Sequence, residues 1–149
     1  MFHFAGADKF AILKAVGADS RIGGKCLLPG YGFGGPCFPR DNRALGGYAE
    51  SIGVKPLISM ATDEYNVLHC ERIVEKKLAE GHSDYTFTDV AYKPKCPVAI
   101  IEESQKLAVA AGVAQAGKKV TIRDRDFILD MVRAEYGSLF EYEEVASLD

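Results

Sequence analysis

A chain of 149 residues that is 48% apolar and 26% charged is the size of one domain or two small ones, with enough apolar content for a packed core. That balance excludes global disorder. A net charge of −3 excludes a nucleic-acid binder driven by bulk electrostatics, and no apolar run approaches the roughly 20 residues that a membrane span needs. The opening MFHFAGADKF has no basic n-region and no apolar h-region, so it does not read as a secretory signal.

In chain order, the first predicted element is a short helix from Asp8 to Val16, with Phe10, Leu13 and Val16 at helical spacing and Gly17 as its stop. A connector leads to Gly30–Leu45, GYGFGGPCFPRDNRAL, where four glycines and two prolines crowd into ten residues around Cys37. Glycine permits close backbone approach and proline fixes φ, so an irregular, rigid loop presenting one thiol is expected. A second helix is predicted over Asp41 to Ile52, with close packing or a bend at Gly46 and Gly47. A third runs from Leu57 to Glu80, with Leu57, Ala61, Leu68 and Leu78 as apolar positions and Pro56 beside its first turn. A helix of that length in so small a protein crosses a domain junction or builds a dimer interface.

The pattern then changes. Tyr85 to Tyr92 reads as a strand and Glu102 to Ala116 as an alanine-rich helix. Lys119 to Arg123 reads as a second strand. Strand, helix and strand make a βαβ unit with parallel strands. Asp126 to Tyr136 is a further helix, and Glu144 to Leu148 begins a third strand. The predicted fold is mixed α/β: a helical central dimerisation segment over residues 1–81, then an incomplete Rossmann-like parallel α/β domain over 82–149. That much sheet is too little to bury both faces.

Four cysteines (Cys26, Cys37, Cys70 and Cys96) form no C-x-x-C pair, and His3, His69 and His82 keep no zinc spacing to them. No metal site is expected, and reduced thiols in the cytoplasm are the default. Gly30 to Gly35 satisfies G-x-G-x-x-G literally, but that fingerprint needs a strand before it and a helix after it. Leu28-Pro29 precedes, and Pro36-Cys37-Phe38-Pro39 is expected not to open a helix. The glycines either bring backbone amides to a ligand or make a plain tight turn.

Cys37 is either a small buried hydrophobe or a nucleophile, its thiolate favoured by Arg40, Arg43 and a helix start near Asp41. Asp41 either handles a proton or water or caps the helix.

The run DSRIGGKCLLPGYGFGGPCFPRDNRAL resembles the signature of the UDP-glucose/GDP-mannose dehydrogenase family, and VAYKP, EES and KVTIRD resemble the start of its nucleotide-sugar-binding domain. The resemblance implies oxidation of a sugar C6 alcohol to a carboxylate in two hydride transfers to NAD. Cys37 would form a thiohemiacetal and then a thioester, with Asp41 assisting its hydrolysis. Phe33 and Gly34 would cradle the sugar, Lys93 would meet the pyrophosphate, and Arg21 would reach substrate in the neighbouring subunit of a homodimer. The implied partners are a UDP-sugar, UDP-glucose foremost, and a second copy of the chain, with neither nucleic acid nor membrane.

The chain departs from the family pattern. It is expected to be a fragment without the N-terminal NAD-binding domain, with no cofactor-binding residue of its own and no turnover alone. Arg40 replaces a lysine, Cys26 an aromatic residue, Asp89 a glycine and Glu102 an NAD-contacting arginine.

Overall fold

The computed structural model describes residues 6–25, 29–93 and 98–146; Cys26, Cys96 and His3 lie outside them. The contacts divide the chain into two compact units, residues 1–30 and 31–149. The first contains α1 (Lys9–Gly17), whose start is fixed by the Asp8 carboxylate accepting from the Phe10 and Ala11 amides.

The second unit opens with the glycine loop and α2 (Phe38–Ser51). This helix begins three residues earlier than the sequence suggests. Pro39 does not prevent it, because the first four amides of a helix have no intrahelical acceptor and a missing N–H costs nothing there. Helix α3 (Leu57–Ala79) follows, 23 residues long and about 35 Å by helical rise.

Beyond it come β1 (Asp84–Thr88), α4 (Gln105–Gln115), β2 (Lys119–Asp124), α5 (Asp126–Tyr136), a 3₁₀ turn (Gly137–Leu139) and β3 (Glu141–Glu144). The fold is mixed α/β, as expected. The strands form one parallel sheet in the order β1-β2-β3, with Thr86 opposite Thr121 and Thr121 opposite Glu141.

Three further boundaries differ from the sequence reading. The first strand stops at Thr88 because Asp89 turns to φ +53°. Helix α4 starts at Gln105, since the Ser104 hydroxyl accepts from the Leu107 amide and fixes the cap there. The third strand, expected over Glu144 to Leu148, is Glu141–Glu144, and residues 147–149 lie outside the described ones.

Tyr85, Phe87, Val120 and Ile122 point to one sheet face and bury against α4 and α5. The alternate residues form an exposed polar face, crossed by the ion pairs Lys119–Glu141 and Arg123–Glu143.

Helix α3 contributes to this core from its C-terminal half, where Cys70, Ile73, Val74 and Leu78 pack in. Val74 sits so close to α4 that only glycine fits at position 112. Of the apolar positions read from the sequence, Leu78 packs against the core, whereas Leu57 and Leu68 are exposed. No helix among the described residues is long and apolar enough to cross a membrane.

Candidate functional site

Cys37 is the N-cap residue of α2, exposed, with no capping hydrogen bond from its side chain. Its carbonyl accepts the Asp41 amide at 2.8 Å, the first turn of the helix. The thiol thus stands at the N-terminal end of the helix, open to solvent.

Asp41 does not cap the helix. It lies four residues inside, and its carboxylate accepts from Arg40 Nε at 2.9 Å. That bond, together with the Asp41 charge, raises the Arg40 guanidinium above its ordinary pKa. Arg43 does not serve the thiol. Its guanidinium pairs with Asp63 of α3 at 2.9 Å and with Glu103 at 2.7 Å, and both bonds raise its pKa.

Residues 31–36 lack regular structure, and none of their main-chain groups bonds to another main-chain group among the described residues. Their position comes from packing and one side chain. Asn66, buried in α3, accepts the Phe33 amide at 3.1 Å and donates to the Phe33 carbonyl at 2.8 Å. A Cβ at position 32 would overlap Asn66 Oδ1, and one at 34 would overlap the Glu103 carbonyl oxygen. Gly35, at φ +87°, lies against the Tyr92 ring. Tyr92 in turn carries Lys93 Nζ 5.4 Å from its ring centroid, which brings that exposed lysine to the loop's neighbourhood.

The bare faces of these glycines are therefore filled by the protein's own chain. No strand precedes them among the described residues. The loop does not fit a dinucleotide.

Phe33, Gly34, Cys37, Asp41 and, through Tyr92, Lys93 belong to one neighbourhood. Arg21 lies in the first unit, where it forms an exposed pair with Asp19 at 2.6 Å. A cleft of about 780 Å³ opens between the start of α4 and the end of α5, lined by Ile100, Glu102, Gln105, Met131 and Tyr136 among others, but not by the thiol.

Sequence reasoning missed Asn66, Asp63 and Glu103. Their signal is a helical stripe: Ser59, Asp63, Asn66 and Cys70 recur at spacings of four, three and four along α3.

Residues 1–67 match the model of the UDP-glucose/GDP-mannose dehydrogenase family, central domain. The UDP-glucose 6-dehydrogenase TuaD of Bacillus subtilis is 45% identical over 73 residues, covering 49% of this chain and 16% of that protein. The UDP-glucose 6-dehydrogenase of Pseudomonas aeruginosa is 37% identical over 124 residues, covering 80% of this chain and 27% of that protein. A UDP-glucose dehydrogenase structure from the archaeon Pyrobaculum islandicum superposes with a TM-score of 0.75 at 29% identity, covering 95% of this chain and 33% of that one. The chain thus spans less than a third of these curated relatives' length.

Proposed function

Because the chain belongs to the UDP-glucose/GDP-mannose dehydrogenase family, we propose that it carries the thiol chemistry of a nucleotide-sugar 6-dehydrogenase acting on UDP-glucose. The observation that supports this most is the exposed, uncommitted Cys37 thiol at the head of a 14-residue helix.

The thiolate adds to the C6 aldehyde carbon of the sugar. A carbon–sulfur bond forms, and the carbonyl electron pair moves to oxygen, which takes a proton. The adduct is a thiohemiacetal. Once it has been oxidised to a thioester, water attacks the acyl carbon, the carbon–sulfur bond breaks and the electron pair returns to sulfur. Asp41, one helical turn from Cys37, accepts the proton of that water. The hydride transfer between these steps is assigned to no described residue. NAD is the acceptor that family membership suggests, and the glycine loop does not fit it.

Phe33 and Gly34 contact the sugar, and Lys93 supplies a point charge for the pyrophosphate. The partner in this reading is a second copy of the chain. Leu45, Tyr48 and Ile52 of the α2 segment and Leu57 and Ile58 of α3 expose apolar surface suited to pairing. Arg21 then serves substrate held by the neighbouring subunit.

The test is alkylation of Cys37 by iodoacetamide in the 149-residue chain, read by peptide mass spectrometry. UDP-glucose slows it and glucose alone does not. Equal rates with and without UDP-glucose would overturn the reading. The chain on its own is expected to form no NADH from UDP-glucose and NAD, since the glycine loop does not fit the cofactor.

A further inference from the structure

We infer that Asn66 is the positioning residue of the Cys37 loop: its amide, held in α3, sets where the sugar-contacting backbone at Phe33 and Gly34 lies relative to the thiol. This rests on the function proposed above and goes beyond it, because Asn66 touches neither the thiol nor any residue assigned to chemistry except through the Phe33 main chain.

Asn66 is one of three buried polar residues among those described, 7% exposed, and its side chain meets both main-chain groups of Phe33 at 3.1 and 2.8 Å. This two-bond clamp replaces the ladder partner that a strand would have had, since residues 31–36 have no main-chain partner among the described residues. At the other end of the loop, α2 is tied to the same helix. The Ser59 hydroxyl donates to the Asn42 carbonyl at 2.7 Å, the Asn42 amide donates to the Ser59 carbonyl at 3.0 Å, and Arg43 pairs with Asp63 at 2.9 Å.

The span from Gly34 to Cys37 is therefore fixed at both ends to one rigid rod. Among the described residues, Asn66 supplies the side-chain hydrogen bonds that hold its upstream end. Gly32 must be bare because Asn66 Oδ1 occupies the space of its Cβ. The loop is thus shaped to admit this amide. Asparagine suits the task because one side chain both donates and accepts, as a peptide group does.

The proposal predicts that cutting the clamp separates ligand binding from thiol reactivity. Asn66→Ala removes both bonds. Asn66→Leu removes them while conserving shape, in case alanine leaves the chain poorly folded. Tyr85→Phe, which cuts the bond from the Tyr85 hydroxyl to the Lys77 carbonyl of α3, serves as a control for loss of stability remote from the loop.

Two readouts are taken on the full chain. The first is hydrogen exchange at the Phe33 amide, expected to accelerate by about tenfold or more in both Asn66 variants but not in Tyr85→Phe. The second is the UDP-glucose concentration that half-protects Cys37 from iodoacetamide. It is expected to rise by about tenfold in the Asn66 variants, with the alkylation rate of the free chain within about threefold of the parent.

Unchanged Phe33 exchange, or a half-protecting concentration equal to the parent's in both Asn66 variants, would overturn the proposal. So would an equal rise in Tyr85→Phe. Absence of protection in the parent chain is a different result: it sinks the UDP-glucose reading, and the exchange measurement then decides alone whether Asn66 holds the loop.

Discussion

Asp124 is the one charged side chain among the described residues that is fully buried, and its surroundings explain why it is tolerated. Standing at the end of β2, it accepts the Val90 amide at 2.7 Å and the Arg125 amide at 2.8 Å, and so ties the chain leaving β1 to the start of α5. Replacing it with alanine strands both amides and the Arg125 Nε that pairs with it at 3.4 Å. Asp124→Ala is expected to lower stability by about 2–4 kcal/mol in urea unfolding with an unchanged m-value.

A second residue makes the stability depend on pH. Burial, reinforced by the Glu135 charge, pushes the Tyr136 hydroxyl up to about 12. Between pH 10 and 12 the unfolded chain loses this proton while the folded chain keeps it. Stability is therefore full below about pH 10 and falls as pH rises towards 12. Burial also raises Tyr31, Tyr142 and Cys70, so they add to the same slope. The urea midpoint measured at pH 9 and pH 11.5 is expected to fall, and Tyr136→Phe is expected to flatten the decline without abolishing it.

At the scale of elements, α3 organises the second unit, and the way it does so explains what the sequence did and did not reveal. Helices and strands were legible wherever apolar periodicity coincided with the buried face. Strand β2, with Val120 and Ile122 inward, and α5, with Ile128, Leu129 and Val132 inward, are of this kind. The face of α3 was not legible, because its N-terminal half packs through Ser59, Asp63 and Asn66, while Leu57 and Ile58 stay exposed. Hydrophobic periodicity is silent about a polar seam.

The loop was legible as a site from its glycines and cysteine, but its supports were not. Asn66 lies 33 residues from Phe33 and Glu103 lies 60 from Arg43, and neither partner can be guessed from local pattern. Asp89, expected where relatives have glycine, takes the left-handed backbone that such a position calls for. Lys106 donates to the carbonyls of Thr88 and Asp89 across this turn, which holds it in place.

At the scale of the molecule, the apolar side chains left exposed on α2 and α3 contrast with the polar open face of the sheet. The sheet face is already satisfied by charge ladders, whereas the helix faces are not. The second copy proposed above is tested on this surface: sedimentation is expected to show a dimer that Ile58→Asp together with Leu57→Asp converts to monomer. The same substitutions leave the sheet intact, so far-UV circular dichroism is expected to stay unchanged. A monomeric parent chain at tens of micromolar would remove the second copy from the proposed function.

The tether between Asn66 and Phe33 also bears on the order in which the molecule assembles. Each strand of the sheet pairs only with its neighbour in sequence, so the α/β layer closes through short chain segments. The cysteine loop has no such nucleus of its own. Its shape depends on α3 and the Glu103 turn, because those are the surfaces against which its glycines are bare. Maturation of the thiol site is thus expected to follow the formation of α3, and a pulse of alkylating reagent during refolding is expected to find Cys37 without UDP-glucose protection at early times.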